Sequence, residues 1–340
     1  MLFLGTALGL VIVIAMTFVV LLDDDENSSG STSSSASADA SASPSATPGD
    51  SASASPTPSP TRTPSATSTA TSTASGRPTG TASPSGGFQD SPVLAAAQAR
   101  GHLVVGTKGD APGLSFKDPA TGEYTGFEID LVEEVASNLG FDPDATEYRD
   151  IGSAEREAAL TRGDIDLYIG TYSITALRKQ TVGFAGPYYT AGLTTLVRDG
   201  EATIQGLDNT LDGRTVCTVT GSTPFQVLQS NHPQAQTTGR PSYAQCVDDL
   251  QASRVDAVVT DDAILRGYAA QRPSELKVVG NPVGVEKYGI GLDHDDAALR
   301  AAVNDALEEA VQDGSWSSAY SKNLDPTRIT VPAPPPVERY

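Results

Sequence analysis

From Asn27 to Gly87 the chain is built almost wholly of Ser, Ala, Thr, Pro and Gly. Such a tract cannot bury enough apolar surface to offset the entropy of ordering its backbone, so it is expected to be disordered. Folding is thereby confined to the residues that follow. As a flexible coil, about 60 residues span roughly 40–45 Å r.m.s., and the prolines stretch that further. The tract reads as a tether through or away from a cell wall, and its Ser/Thr-Pro density makes it a candidate for O-glycosylation.

Ahead of the tether, Leu2 to Leu22 is apolar and uncharged, interrupted only by Gly5, Thr6, Gly9 and Thr17. About 21 residues rising about 1.5 Å each reach roughly 30 Å, enough to cross a bilayer. A cleaved signal peptide should show a basic start and a small-x-small site, and Leu22-Asp23-Asp24-Asp25-Glu26 offers neither. No Cys follows the apolar run to carry a lipid. Residues 1–22 are therefore expected to be an uncleaved transmembrane anchor, and 23–90 the tether. The anchor lacks flanking Lys or Arg, so charge does not set its orientation. Asp23 to Glu26 reads as a solvated face, with nothing to fix a metal's geometry.

Charge narrows the partners. The chain carries 42 acidic against 22 basic residues, a formal net charge of -20, which repels nucleic acid and anionic lipid alike. Its two cysteines lack zinc-type spacing, and no Gly-x-x-x-x-Gly-Lys loop is present to cradle a nucleotide phosphate.

The folded unit is expected to begin near Ser91. Pro92 to Arg100 reads as a short amphipathic helix and His102 to Gly106 as a first strand, with Thr107 to Gly113 as the loop at its carboxyl end. Gly126-Phe127-Glu128-Ile129-Asp130-Leu131 opens a helix running through Asn138 and closed by Gly140. After a strand near Ala145–Tyr148, Arg156 starts a helix that ends at Arg162-Gly163.

Chemistry concentrates in the stretch that follows. Asp164 to Ile169 alternates apolar residues with Asp, as a short strand does, and Gly170 lets the chain leave it. Thr171, Tyr172 and Ser173 form a polar turn, and Thr175 is placed to cap a helix start. Arg178 follows three residues later and can fold back over that helix end. Backbone amides, hydroxyls and one guanidinium then converge at the carboxyl end of a strand, which suits a small carboxylate. The residues alone equally allow an Arg that pairs with a surface acid.

Gly170-Thr171-Tyr172-Ser173-Ile174-Thr175-Ala176-Leu177-Arg178-Lys179, followed by Phe184-Ala185-Gly186-Pro187-Tyr188-Tyr189, resembles the ligand-binding signature of the extracytoplasmic solute-binding proteins of polar amino-acid ABC transporters. The resemblance runs from about Leu103 to about Leu324. It implies a periplasmic-binding-protein-like fold of type II: two α/β lobes joined by two crossing strands, with ligand held between them. Lobe 1 would comprise 91–198 plus 285–330, lobe 2 would comprise 199–284, and the Pro-rich tail 331–340 is expected to be loose.

The same resemblance implies the site residues. Thr171, Ser173 and Arg178 would grip the α-carboxylate. Ser222 and Thr223, in the turn Thr220-Gly221-Ser222-Thr223-Pro224 after a strand near Thr215–Val219, would help from lobe 2. Asp261 would pair with the ligand ammonium, with Asp262 left as a helix N-terminal acid. Lys108 and Arg156 match cations found in glutamate and aspartate binders, against the plainer reading of both as solvated surface charges. In the family the Gly-Phe-acid-x-Asp run opens the first lobe's first long helix and its Asp is structural, so neither Glu128 nor Asp130 is expected to be a ligand.

Direct contact in a partly dry cleft would let these cations outweigh the protein's global negative field, which is screened beyond about 8 Å. Cys217 and Cys246 both fall in lobe 2, where an extracytoplasmic setting favours a disulfide. The expected function is binding of an acidic amino acid, with glutamine possible, for delivery to an ABC transporter permease. A membrane-tethered sensor using the same module is the alternative. The resemblance implies no cofactor, no metal and a monomer. His102, His232 and His294 lie outside the recognised positions and no nucleophile–base pair is visible, so an enzyme is not expected.

Overall fold

A computed structural model describes residues 90–324 and 331–340. The expected anchor, residues 1–22, and the tether up to residue 89 lie outside the described residues. Among the described residues no helix is long and apolar enough to cross a membrane.

Ser91 starts the fold by capping α1 (Pro92–Arg100): its Oγ accepts the Leu94 amide at 3.0 Å, and Pro at the first position removes an amide that the helix end would leave unpaired. The same Oγ donates to Asp296 Oδ2 at 2.6 Å, tying the start of the fold to a residue 205 positions further along. β1 (Val104–Thr107) is wholly buried. The expected loop beyond it, Thr107 to Gly113, contains β2 (Asp110–Ala111), which forms a small antiparallel sheet with β3 (Ser115–Lys117) and β4 (Tyr124–Thr125) further along. α2 (Phe127–Asn138), β5 (Glu147–Asp150) and α3 (Arg156–Thr161) follow.

The strand expected over 164–169 shortens to β6 (Leu167–Tyr168). Asp166 is drawn aside to accept the Val104 amide at 2.7 Å and to pair with Arg100. The helix expected after Thr175 is a single 3-10 turn, Arg178–Gln180, because β7 (Gly183–Arg198) claims the chain three residues later. The cap nevertheless forms: Thr175 Oγ1 accepts the Arg178 amide at 3.2 Å.

Beyond β7 come β8 (Thr215–Val219), α4 (Thr223–Asn231), β9 (Gln236–Arg240), α5 (Tyr243–Gln251), β10 (Ala257–Asp261) and α6 (Asp262–Gln271). Lys277–Gly280 and Lys287–Leu292 each read in the sequence as a strand, but the structure joins them in one, β11 (Leu276–Leu292), and α7 (Ala297–Gln312) and α8 (Ser315–Asn323) complete the order. β9, at the sheet edge, has no sequence signal: Gln-Thr-Thr-Gly-Arg is polar and only half-buried.

These strands form one eight-stranded sheet in the order β5-β1-β6-β11-β7-β10-β8-β9. β7 and β11 are the two crossing strands. The start of β7 pairs with the end of β11, Gly183 opposite Leu292, beside the parallel trio β5-β1-β6. Their other ends pair Arg198 opposite Leu276, beside β10, β8 and β9. Between those ends the register slips at Val279/Val283 and Val283/Glu286, which lets the sheet bend between its halves. This is the expected two-lobe α/β architecture.

An aromatic cluster sits against the crossing strands. Phe127 meets Trp316 edge-on at 5.6 Å, Tyr189 stacks on Tyr288 at 5.5 Å, and Trp316 Nε1 donates to the Tyr188 carbonyl at 2.8 Å. Such burial with a satisfied indole N–H makes these residues packing elements. In the second lobe Cys217 on β8 and Cys246 on α5 are joined in a disulfide. It closes a loop spanning 29 residues, worth about 3–4 kcal/mol on the chain-entropy account.

The tail, expected to be loose, is held against the first lobe. Tyr340 Oη accepts the Phe184 amide at 2.7 Å, and the Glu338 amide donates to the Gly186 carbonyl at 2.9 Å. Glu338 pairs with Lys287, Arg339 with Asp305 and Glu308, and the Tyr340 ring lies under Lys179 at 3.6 Å. Proline content predicts the lack of regular structure, which is correct, but not the side chains that anchor it.

Candidate functional site

Both halves deliver polar groups to the space between them. Lys108 follows β1, Arg156 opens α3, and Thr171 and Ser173 follow β6. Arg178 opens the 3-10 turn. From the other half, Ser222 caps α4, Thr223 is its first residue, and Asp261 ends β10. Together with Ser153, Pro224 and Tyr243 they surround a cavity of about 10 Å³, room for about one water molecule. An amino acid is larger, so the halves must part for it to enter and settle.

Thr171 sets the geometry of the first-lobe wall. Its φ of 47° is left-handed, which for a β-branched residue costs about 1 kcal/mol or more. Glu128, with no exposed surface, compensates by accepting the Thr171 amide at 2.6 Å and the Tyr188 hydroxyl. Burial holds the Glu128 carboxyl above its usual range. Glu128 is thus a support for the wall. Asp130 is a support elsewhere, taking Asn323 Nδ2 at 2.7 Å and Lys322 at 2.9 Å.

Lys108 Nζ donates to Thr171 Oγ1 at 3.2 Å and lies 4.7 Å from the Tyr243 ring centre. Only 5% of it is exposed, and burial pulls its ammonium below the ordinary lysine range, with Asp110 opposing that shift. Lys108 and Arg156 are therefore not the solvated surface cations that composition alone would suggest.

The two arginines flank one ring. The Arg156 guanidinium lies 3.9 Å from the Tyr172 centroid and that of Arg178 lies 5.1 Å away. Arg178 Nη1 donates to the Ser173 carbonyl at 2.7 Å, so it does fold back over its own turn. Burial, then the neighbouring Arg156, pull the Arg178 guanidinium down to about 10. Glu157, which the sequence reading passed over, stands 3.5 Å from Arg156 Nε and 3.4 Å from Arg178 Nε.

Asp261 is buried, and its Oδ1 has no hydrogen-bond partner. Burial, with Glu286 adding repulsion and Lys108 opposing, pushes its carboxyl up to about 7. Ser153 Oγ is likewise buried without a hydrogen-bond partner, and Arg156 Nε makes no hydrogen bond but only the 3.5 Å ion-pair contact with Glu157. Unpaired buried polar atoms are costly, and an ammonium and carboxylate oxygens are the groups that would pair with these. Asp262 plays the other part expected of it, pairing with Arg266 four residues along α6 at 2.8 Å.

The halves touch through this site. Ser173 Oγ lies 3.5 Å from Thr223 Oγ1, which donates to Glu286 Oε2 at 2.9 Å. Asp110 Oδ2 accepts the Tyr243 amide at 2.6 Å. Ser153 could have been suspected from its place one turn before Arg156. Tyr243 and Glu286 had no such signal, since only the folded chain brings them to the cleft. None of the three histidines lines the cavity, and among the described residues no His/Cys/Asp/Glu group could hold a metal ion.

The sequence model of the bacterial extracellular solute-binding proteins, family 3, matches residues 103–326. The chain belongs to this family. It is 37% identical over 253 residues to the glutamate-binding protein GluB of Corynebacterium efficiens, covering 72% of this chain and 86% of that one. It is 32% identical to the glutamine-binding protein GlnH of Bacillus subtilis over 68% of this chain and 84% of the relative. Among solved structures, an ancestral arginine-binding protein bound to glutamine matches with TM-score 0.62 and 34% identity, over 66% of this chain and 98% of its own. A solute receptor for L-cysteine from Neisseria gonorrhoeae matches with TM-score 0.64 and 26% identity, over 68% and 93%. As a member of the family the protein is an extracellular solute-binding protein with the fold derived above.

Proposed function

We propose that the protein binds an acidic amino acid, glutamate or aspartate, and delivers it to an ABC transporter permease. The observation that carries this reading is three buried cations, Lys108, Arg156 and Arg178, lining the same cavity as one buried carboxylate, Asp261. An ammonium takes one acid and an α-carboxylate takes one arginine fork. Two cations then remain for the side chain, and a second carboxylate matches them better than an amide does. The GluB relative is named for glutamate and the GlnH relative for glutamine, so the family accommodates both ligands. Discrimination between them falls to Lys108 and Arg156.

A calorimetric titration of the full chain in detergent against the twenty amino acids tests this. Glutamate or aspartate should bind tightest, and Arg178→Ala should lose every ligand by about 2–5 kcal/mol. Tighter binding of glutamine than of both acids would reject the acidic reading.

A further inference from the structure

The cleft holds a carboxylate whose place is explained neither by ligand binding nor by the fold. Glu157 is the second residue of α3, directly after Arg156. One of its oxygens, Oε1, serves three partners: it accepts the Tyr172 hydroxyl at 2.8 Å and lies 3.5 Å from Arg156 Nε and 3.4 Å from Arg178 Nε. Among the described residues it is the only acid within 4.0 Å of either guanidinium. The arginine side chains are 2% and 9% exposed while Glu157 is 28% exposed. A single, partly wetted anion is thus shared between two dry cations that lie against the same ring.

We propose that Glu157 is a specificity-determining positioning residue that limits how strongly the cleft prefers a second ligand carboxylate over an amide. The proposal rests on the reading that Arg156 faces the ligand side chain. Glu157 touches the edge of each guanidinium through Nε. That holds both forks in place and cancels part of the positive field that a side-chain carboxylate would meet. Glutamate and glutamine share the α-carboxylate and ammonium and differ by one charge. The Glu157 charge therefore bears on their ratio, whereas its hydrogen bonds bear on both alike.

Glu157→Gln removes the charge and keeps an oxygen that can accept from Tyr172. Glu157→Asp keeps the charge but draws it back from the arginines. Binding of glutamate and glutamine to the full chain in detergent is titrated for parent and both variants, with thermal unfolding beside it. The ratio of the glutamine Kd to the glutamate Kd should rise about three- to thirtyfold in Glu157→Gln, the effect of a unit charge several ångströms away and partly screened. It should rise by a smaller factor in Glu157→Asp. A ratio unchanged in Glu157→Gln, with both ligands weakened equally, would overturn the proposal and leave Glu157 a structural support. If Glu157→Gln shows no cooperative unfolding, an unchanged ratio in Glu157→Asp overturns it equally. A parent that prefers glutamine would reject the acidic reading while leaving the shift in ratio on mutation readable.

Discussion

Arg178 reaches across the cleft to Gly221: its Nη2 donates to the Gly221 carbonyl at 3.0 Å, and Arg156 Nη2 donates to the same oxygen at 3.3 Å. Two guanidiniums thus converge on one backbone oxygen from the opposite half. A ligand carboxylate offers the same kind of acceptor with a full charge, and charge-assisted bonds are roughly twice as strong as neutral ones. On the proposed reading, the ligand's α-carboxylate would take Arg178 and its side-chain carboxylate Arg156, each replacing a bond to the shared Gly221 carbonyl.

Gly221 also sets how far the halves close. Its φ is 82°, and a Cβ there would lie 2.9 Å from Ala154 Cα and 3.0 Å from the Ser153 carbonyl, both in the opposite half. Gly221→Ala should add about 1 kcal/mol of backbone strain and hold the cleft ajar. Dissociation of ligand should quicken about tenfold or more with little change in association, read by stopped-flow fluorescence. An unchanged dissociation rate would show that closure tolerates the methyl group.

Lys108 and Arg156 should act together on the ligand side chain. Replacing both with Gln is expected to weaken glutamate by about 1–3 kcal/mol more than glutamine, since an amide leaves little to lose. If these residues only steered encounter, association would slow and respond to salt while dissociation held constant. Stopped-flow measurements on both ligands separate the two accounts.

Asp261 predicts the pH dependence of binding. In the closed form its carboxyl titrates at about 7, whereas an unfolded Asp titrates near ~3.9. Between those values the closed fold holds a proton that the unfolded chain has lost, so its stability falls as pH rises through that window. Ligand binding runs the other way. The ammonium needs the ionised carboxylate, so below about pH 7 a proton must leave first. Glutamate affinity should climb from pH 5.5 to 7 by up to about tenfold per unit and level off above, a range in which free glutamate itself does not titrate. Asp261→Asn should bind weakly with a flat profile, and a flat parental profile would place the proton elsewhere.

The tail should stabilise the first lobe without shaping the cavity. Its contacts run through Phe184, Gly186, Lys287 and Tyr340, none of which lines the site. Net of ordering entropy they are worth about 1–2 kcal/mol, so deleting residues 331–340 should lower Tm by roughly 2–8 °C. Glutamate Kd should stay within about twofold. An unchanged Tm would mean that the tail adds nothing, and a large loss of affinity would mean that it supports Arg178 through Lys179.

By itself the sequence determined what depends on neighbours a few residues apart. Ser91 and Thr175 cap the turns their spacing announces, and Gly140 closes α2. The turn from Gly170 to Arg178 carried the resemblance to a known family, and that resemblance named Lys108, Arg156 and Asp261 beside Arg178, all of which line the cavity. Tertiary structure decided the rest. Whether residues 277–280 and 287–292 are two strands or one depends on pairing with β7 along its whole length. Glu157 meets Tyr172 and Arg178 through packing within the first lobe, Tyr243 meets Asp110 and Lys108 only because the halves close on one another, and Tyr340 finds Phe184 across 156 positions of chain. Local propensity reports on bonds formed within a turn of helix or a short run of strand. Hydrogen bonds between the lobes and the docking of a proline-rich tail gain their energy from groups far apart in sequence, and nothing in the intervening residues records which of them will meet.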